Sequence, residues 1–218
     1  MDAPDAWTGL FISFEGGDGA GKSTQIRRLA EVLRAEGREV VLTREPGGSD
    51  GAEAIRKLIL EGAADRWSPL SEALLMYAAR EDHLERTIMP ALARGAVVIT
   101  DRFADSTMAY QGLAGSLGEE TVTALYDLVV RDRGPDVTII LDIPVEVGLE
   151  RSGNRGGAEQ RFESKGAAYQ DAVRRAFLEI ARREPERCLV IDATGDEEAV
   201  AARLHAGLAE RLPGLFSA

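Results

Sequence analysis

The residues best suited to chemistry form a glycine-rich run with the spacing G-x-x-x-x-G-K-[ST], namely Gly16, Gly17, Asp18, Gly19, Ala20, Gly21, Lys22 and Ser23. Glycines let the backbone curl so that several N–H groups point at one anion, and the following helix adds its own unpaired N–H groups. Lys22 then reaches the terminal phosphates of a nucleotide, and the Ser23 hydroxyl joins the ligands of Mg²⁺. The run therefore predicts a nucleotide phosphate site, but by itself it does not identify the class of NTPase or kinase.

Charged residues also follow two later apolar runs. Arg44 comes directly after one of them, where its guanidinium could bind a second phosphate, and Asp101 and Arg102 follow another. In P-loop enzymes a carboxylate at such a strand end helps to hold Mg²⁺, and an arginine beside it can clamp the transferring phosphoryl group. The alternatives are a simple Pro-Gly turn after Arg44 and a surface ion pair between Asp101 and Arg102.

A further arginine-bearing segment runs from about residue 150 to residue 166. Arg151 and Arg155 in it are spaced i and i+4, so they share one face if the segment is helical. Glycines follow them, and Arg161 comes later in the same segment. This pattern predicts a mobile lid that closes over phosphates and excludes water, with a solvated surface loop as the alternative.

A repeated pattern of strands and helices must position these groups. Continuous apolar runs predict five strands covered on both faces, as in a parallel sheet: Leu10–Phe14, Glu39–Thr43, Ala96–Thr100, Val137–Leu141 and Leu189–Ile191. Stripes with helical spacing predict core-facing helices between them, including one at Ile55, Leu58 and Ile59 and one at Leu70, Ala73, Leu74 and Tyr77. Pro90 predicts a kink or a break in its helix. We expect an α/β fold that binds its ligands beyond the carboxyl ends of the strands.

Length and composition favour one domain, residues 1–218, with residues 1–9 as an N-terminal tail. The formal net charge of −11 argues against a nucleic-acid partner bound through a broad basic surface. No apolar run has the length of a membrane span, so we expect no membrane partner. A single cysteine, Cys188, in an apparent buried strand favours a reducing, cytoplasmic location.

Longer motifs resemble the bacterial type of the thymidylate kinase (dTMP kinase) family, from Phe11 to about Leu208. They are Phe14-Glu15-Gly16 through Thr24, Thr43-Arg44-Glu45-Pro46-Gly47-Gly48, Tyr77-Ala78-Ala79-Arg80, Asp101-Arg102-Phe103, Ser106-Thr107-Met108-Ala109-Tyr110-Gln111-Gly112, Leu141-Asp142 and Ile191-Asp192-Ala193-Thr194. The resemblance implies a P-loop NTPase-type three-layer α/β/α fold with sheet order 2-3-1-4-5, helices on both faces, a mobile lid and a homodimer. It also implies transfer of the γ-phosphoryl group of ATP to dTMP, with Mg²⁺ as the cofactor.

The resemblance assigns roles by position. ATP would be bound by Gly16 through Ser23, with Thr24 and Arg151. Catalysis would fall to Lys22, Arg102, Arg155 and Asp18, and Mg²⁺ would lie near Ser23, Asp101 and Asp18. The dTMP site would consist of Asp18, Arg44, Met76, Arg80, Arg102, Thr107, Tyr110, Gln111 and Glu163. In that site two arginines would hold the acceptor phosphate (Arg44, Arg102), three residues would read the thymine edge (Arg80, Thr107, Gln111), and Tyr110 would disfavour a ribonucleotide.

Two positions depart from the family pattern. Met76 stands where many relatives have a Phe that stacks on thymine, and Gln160 stands where relatives often have Asp. The alternative functions are another P-loop kinase acting on a nucleoside or a different monophosphate and, more remotely, a nucleotide-binding switch such as a GTPase. A GTPase predicts an Asn-Lys-x-Asp run, and none of the three lysines of this chain follows an Asn.

Overall fold

The structure is a computed structural model, and it describes residues 9–63, 66–153 and 166–216. Five strands form one parallel sheet: β1 (Leu10–Glu15), β2 (Val40–Arg44), β3 (Val97–Asp101), β4 (Val137–Asp142) and β5 (Cys188–Asp192). Their order is β2-β3-β1-β4-β5. The predicted five-stranded parallel sheet of order 2-3-1-4-5 is therefore confirmed.

Each strand ends one residue later than the apolar pattern indicated, and the added residue is charged in every case: Glu15, Arg44, Asp101, Asp142 and Asp192. These residues still belong to the backbone ladder. Asp101, for example, lies opposite Phe14 of β1 and Arg44 of β2. Hydrophobicity marks only the apolar part of a strand, so it misses a charged final residue whether that residue is buried, as Glu15 is, or exposed. A charged residue thus closes every strand at the edge where parallel sheets bind ligands.

Helices connect the strands in the pattern that the sequence predicted. In the described ranges they are α1 (Lys22–Ala35), α2 (Asp50–Leu60), α3 (Pro69–His83), α4 (Met89–Ala93), α5 (Ala104–Thr107), α6 (Glu119–Val129), α7 (Val145–Gly153), α8 (Ala167–Arg183) and α9 (Glu197–Arg211). A π-helical stretch, Leu84–Ile88, joins α3 to α4, whose first turn contains Pro90. Regular α-helical bonding is interrupted there, as predicted. Among these helices none combines the length and hydropathy needed to cross a bilayer.

The sheet is covered on both faces, which makes the fold three-layered. Ile12 and Ile99 pack into a core with Leu33 of α1, whereas the neighbouring strand residues Phe11 and Val98 pack into a second core on the other face. Successive side chains of a strand point to opposite faces, so continuous apolar runs supply both cores at once.

Three leucines that the sequence placed in core-facing stripes are exposed. Leu58 of α2 is 43% exposed, and Leu70 and Leu74 of α3 are 45% and 49% exposed. The prediction of a core role is wrong for these positions. In α3 the row formed by Ala73 and Tyr77 is buried, while the adjacent row remains at the surface because the apolar stripe is wider than the contact that the core provides.

Candidate active site

The glycine-rich run forms a tight loop between β1 and α1. Gly19 has φ of 74°, and a Cβ atom at this position would lie 2.0 Å from the carbonyl oxygen of Gly148 in α7. Gly21 has φ of 91° and directly precedes the first residue of α1, Lys22. Left-handed backbone and close approach both require glycine at these positions. A loop of this shape leaves the N–H groups at the start of α1 available to an anion.

Lys22 lies folded back onto the loop. Its ammonium group donates to the carbonyl oxygens of Gly16 at 3.2 Å and Gly17 at 3.0 Å. The side chain is buried, and burial lowers its pKa, with the nearby charge of Arg102 adding to the effect. A desolvated cation held this way interacts more strongly with a phosphate than one exposed to water.

Ser23 and Asp101 bring two oxygen ligands together beside the loop. The Ser23 hydroxyl donates to Oδ2 of Asp101 at 3.1 Å, which links the first turn of α1 to the end of β3. Mg²⁺ prefers oxygen ligands and in phosphoryl-transfer sites takes few of them from the protein, because the nucleotide phosphates supply others. Within the described part of the chain no group of three His, Cys, Asp or Glu residues could hold a metal alone. The donor set present therefore fits a nucleotide-bound Mg²⁺ ion.

Arg102 adopts a backbone conformation that is uncommon for a residue with a side chain. Its φ is 69°, in the left-handed region. Glu15 stabilises the turn, because its carboxylate accepts from the backbone N–H of Phe103 at 2.7 Å and from the hydroxyl of Ser106 at 2.5 Å. Burial raises the pKa of Glu15 to about 8, and the charge of Asp105 contributes. Sequence reasoning did not assign Glu15 a role, although it sits in the Phe14-Glu15-Gly16 motif.

The Arg102 guanidinium connects the phosphate loop to the residues after β3. Nη2 donates to Oδ1 of Asp18 at 2.7 Å and to the hydroxyl of Tyr110 at 3.3 Å. Nη1 donates to Ser106 and, at 3.0 Å, to the carbonyl oxygen of Gly16. That same oxygen accepts from Lys22. The cation of the phosphate loop and the cation after β3 thus share one acceptor, so both can contact neighbouring phosphates.

An open cleft with about 590 Å³ of empty space lies next to this junction. It is lined by Asp18, Glu45, Pro46, Arg56, Leu60, Met76, Arg80, Arg102, Phe103, Ser106, Thr107, Tyr110 and Gln111. The lining combines apolar and aromatic surface with a few polar groups, as small-molecule sites generally do. Its composition suits a nucleotide base with its sugar, and its Asp18 and Arg102 end adjoins the phosphate loop.

Arg80 is the most deeply buried cation of the cleft. Nε donates to Oε2 of Glu45 at 2.8 Å and Nη2 donates to the Thr107 hydroxyl at 3.0 Å. The guanidinium also stacks over the rings of Tyr77 and Phe103. Its third nitrogen, Nη1, is buried and has no hydrogen-bond partner among the described residues. A buried donor left unmatched is costly, so this atom points to an acceptor on a ligand.

A family model described as thymidylate kinase matches residues 14–204. A thymidylate kinase of Caulobacter vibrioides is 61% identical to this chain over 204 residues, which cover 94% of the chain and 98% of that protein. A thymidylate kinase of Ruegeria pomeroyi is 56% identical, with coverage of 89% and 92%. The chain belongs to the thymidylate kinase family. A crystal structure of thymidylate kinase from Ehrlichia chaffeensis matches the fold with a TM-score of 0.73 at 35% identity, covering 92% of this chain and 98% of the other.

Membership of the thymidylate kinase family confirms the main interpretation of the sequence and does not support the alternatives. The structure also brings together most of the side chains that the family resemblance assigned to dTMP. Those that line the cleft are Asp18, Met76, Arg80, Arg102, Thr107, Tyr110 and Gln111. Their individual roles remain predictions.

Arg44 is placed differently from the other predicted dTMP residues. It does not line the cleft, and its half-exposed guanidinium pairs with Glu53 of α2 at 3.0 Å. Arg56, one turn further along α2, does line the cleft and donates to the carbonyl oxygen of Pro46. Sequence reasoning missed Arg56 because an arginine inside an amphipathic helix looks like an ordinary surface residue. Its proximity to the Arg44-Glu45-Pro46 turn is set by how α2 folds back, which no local motif records.

Only some of the residues predicted to bind ATP or to form the lid lie within the described ranges. Arg151 of α7 donates to the carbonyl oxygens of Ala193 at 3.4 Å and Gly195 at 3.2 Å, so it lies against the turn after β5. Arg155, Gln160, Arg161 and Glu163 lie outside the described residues, as does most of the predicted lid.

Proposed function

We propose that this chain transfers the γ-phosphoryl group of ATP to dTMP. A phosphate oxygen of dTMP attacks the γ-phosphorus, the bond to the β–γ bridging oxygen breaks, and ADP and dTDP leave. The observation that carries the proposal is the shared hydrogen-bond acceptor of Lys22 and Arg102, the carbonyl oxygen of Gly16. This shared acceptor joins the phosphate loop to the cleft. Family membership supports the same reaction.

On the donor side, the loop from Gly16 to Ser23 would cradle the ATP phosphates, with Thr24 and Arg151 in supporting contacts. Lys22 would exchange its carbonyl partners for the γ-phosphate and neutralise charge as the phosphoryl group moves. Mg²⁺ would be held near Ser23 and Asp101 and would supply positive charge that stabilises the transferred phosphoryl group. Phosphoryl transfer needs mainly positioning and charge stabilisation, which these groups provide.

On the acceptor side, Arg102 would hold the phosphate of dTMP, and Asp18 keeps its guanidinium in place at 2.7 Å. We propose Arg56 as a second cation for this phosphate, since it lines the cleft whereas Arg44 pairs with Glu53. Arg80, Thr107 and Gln111 would bind the thymine edge. Tyr110 would crowd the sugar C2′ and disfavour a ribonucleotide.

The test of this function is a coupled ADP-release assay with dTMP, dUMP, UMP, CMP and GMP as acceptors. We expect dTMP to give the highest kcat/KM and dTDP to be the product. Preference for another monophosphate would favour a different P-loop kinase. ADP release that does not depend on any acceptor would contradict a kinase function altogether.

Met76 offers a prediction about the strength of base binding. It lines the cleft at the position where relatives often carry a stacking Phe, and a thioether packs on a ring less rigidly than an aromatic group. Aromatic stacking stabilises a bound base by about 1–3 kcal/mol relative to alanine, and a methionine already supplies part of that contact, so Met76→Phe is expected to lower the KM for dTMP by about three- to tenfold. Met76→Ala should raise it. If steady-state kinetics show the same KM for wild type and both variants, Met76 does not contact the base.

We further propose that the protein is a homodimer formed through α2, α3 and α6. Helix α3 packs against both of the others. Four exposed leucines lie on these helices: Leu58 at 43%, Leu70 at 45%, Leu74 at 49% and Leu128 at 65%. Large apolar side chains exposed on helices that pack together mark a candidate interaction site.

Leu74→Glu is expected to convert the dimer to a monomer, because the interface would then have to bury a charge. Sedimentation velocity measures the change. Val32→Glu, at a similarly exposed position on α1, is the matched control and should leave the dimer intact. A wild-type protein that sediments as a monomer would contradict the proposed dimer.

The remaining expectations are also proposals. We propose one kinase domain over residues 1–218, with a lid at about 150–166 whose Arg155 acts on the transferring phosphoryl group and whose Glu163 contributes to the dTMP site. A cytoplasmic location would give the enzyme access to ATP.

A further inference from the structure

A buried carboxylate, Glu72, lies behind the cleft without lining it. It belongs to the first turn of α3 and is 7% exposed. Its Oε1 accepts from Nε2 of Gln111 at 2.9 Å. Gln111 is itself 6% exposed and lies on the wall of the cleft, in the π-helical stretch Met108–Leu113. Neither the sequence motifs nor the family resemblance gave Glu72 a role.

The contact fixes which end of the Gln111 amide enters the cleft. An ionised carboxylate has acceptors only, so it bonds the amide NH₂ group and disfavours the amide oxygen. With Nε2 turned toward Glu72, Oε1 is on the opposite branch of the amide of a residue that lines the cleft. Gln111 therefore presents a hydrogen-bond acceptor, Oε1, to a ligand in the cleft.

Arg80 offers the complementary group. In the part of the chain that the structure describes, its Nη1 is a buried donor without a partner, while its other two nitrogens are held by Glu45 and Thr107. Because a guanidinium stays protonated and has no acceptor, this atom cannot change its hydrogen-bonding character. The base end of the cleft thus carries one donor and one acceptor.

This pair distinguishes pyrimidines by the group at C4. Thymine and uracil present an acceptor at O4 and a donor at N3–H, which match Arg80 and Gln111. Cytosine presents the reverse, a donor amino group and an acceptor N3. We propose that Glu72 is a specificity-determining positioning residue: by holding the amide of Gln111 in one orientation, it makes the cleft bind 4-oxopyrimidine nucleotides and reject 4-aminopyrimidine nucleotides. The inference rests on the proposed function, since it takes the cleft as the site of the acceptor base.

Glu72→Gln tests the proposal because a neutral amide can either donate or accept. Gln111 can then turn over and present Nε2 to N3 of cytosine. A substrate that leaves a buried polar group of the site unpaired usually has a much lower kcat/KM than the matching substrate. Because Glu72→Gln removes that mismatch for cytosine, the ratio of kcat/KM for dTMP to that for dCMP is expected to fall by about 10- to 100-fold. Part of the fall should be a gain in kcat/KM for dCMP, which general damage to the site would not produce.

Three further variants make the result specific. Glu81→Gln changes the same residue type on the same helix, where Glu81 pairs with Arg133, and the ratio should stay at the wild-type value. In a Gln111→Leu background, Glu72→Gln should no longer alter the ratio, because there is no amide to orient. Glu72→Ala also leaves the amide free to turn and is expected to lower the ratio; it replaces Glu72→Gln if that variant is not recovered folded.

Both kcat/KM values are measured on the same preparation of each variant, so a smaller fraction of folded enzyme lowers both equally and leaves their ratio unchanged. A wild-type enzyme that phosphorylates dTMP, together with variants at Glu72 whose dTMP/dCMP ratio equals that of wild type, would overturn this inference and leave the proposed function standing. A wild-type enzyme that does not phosphorylate dTMP would instead overturn the proposed function.

Discussion

Replacing Lys22 by alanine is expected to lower kcat by about 10²- to 10³-fold, the usual effect of removing one preorganised group that stabilises transition-state charge. The Kd for dTMP should change little, because Lys22 belongs to the phosphate loop and does not line the cleft. The loop itself should survive, since the carbonyl oxygen of Gly16 still accepts from Arg102 after the lysine is gone. Single-turnover kinetics and equilibrium titration with dTMP measure the two quantities separately.

Lys57→Ala is the matched control for this experiment. Lys57 is exposed on α2 and is absent from the cleft lining, so its removal takes away the same charge without touching the site. We expect wild-type kcat for the control. An equal loss of turnover and of dTMP affinity in Lys22→Ala would mean that the lysine binds the ground state, and its assignment to the transferring phosphate would be wrong.

Replacing Arg102 by lysine is expected to lower kcat/KM for dTMP by about 10²- to 10³-fold, although the positive charge is kept. The guanidinium donates to four acceptors at once, among them Asp18 and the carbonyl oxygen of Gly16. An ammonium group has three donors at one point and cannot span that geometry. The acceptor phosphate should therefore lose both its partner and its alignment with the γ-phosphate.

Arg131→Lys controls for the unusual backbone at Arg102. Arg131 is the other residue of the described ranges that has positive φ without being glycine, at 56°, and it lies at the exposed end of α6, away from the cleft. Its replacement should leave kcat/KM unchanged. Full activity of Arg102→Lys would show that the phosphate requires only a positive charge here, and the clamp described above would be incorrect.

The phosphate loop and the five strands could be predicted from the sequence because their causes are local. Glycines at positions of positive φ, such as Gly19 and Gly21, leave a fixed spacing in the chain. Strands buried on both faces leave uninterrupted apolar runs. The order of the strands then came from the family resemblance, since periodicity alone does not specify it.

Three features of the site could not be read from the sequence because they depend on long-range packing. Arg56 reaches the cleft only because α2 folds back over the turn at Pro46. Glu72 and Glu15 are buried acidic residues, and their importance lies in partners distant in the chain, Gln111 and Phe103. A pattern of residue types records none of these contacts.

Phosphoryl transfer to dTMP at this site requires one arrangement, in which the acceptor nucleotide lies in the cleft with its phosphate toward the loop and its base toward α3. A crystal structure with dTMP and a non-hydrolysable ATP analogue tests it most directly. We predict thymine O4 within hydrogen-bonding distance of Nη1 of Arg80, N3 at Oε1 of Gln111, and the dTMP phosphate at Arg102. A dTMP molecule bound outside the cleft, or with its base toward Lys22, would contradict the account.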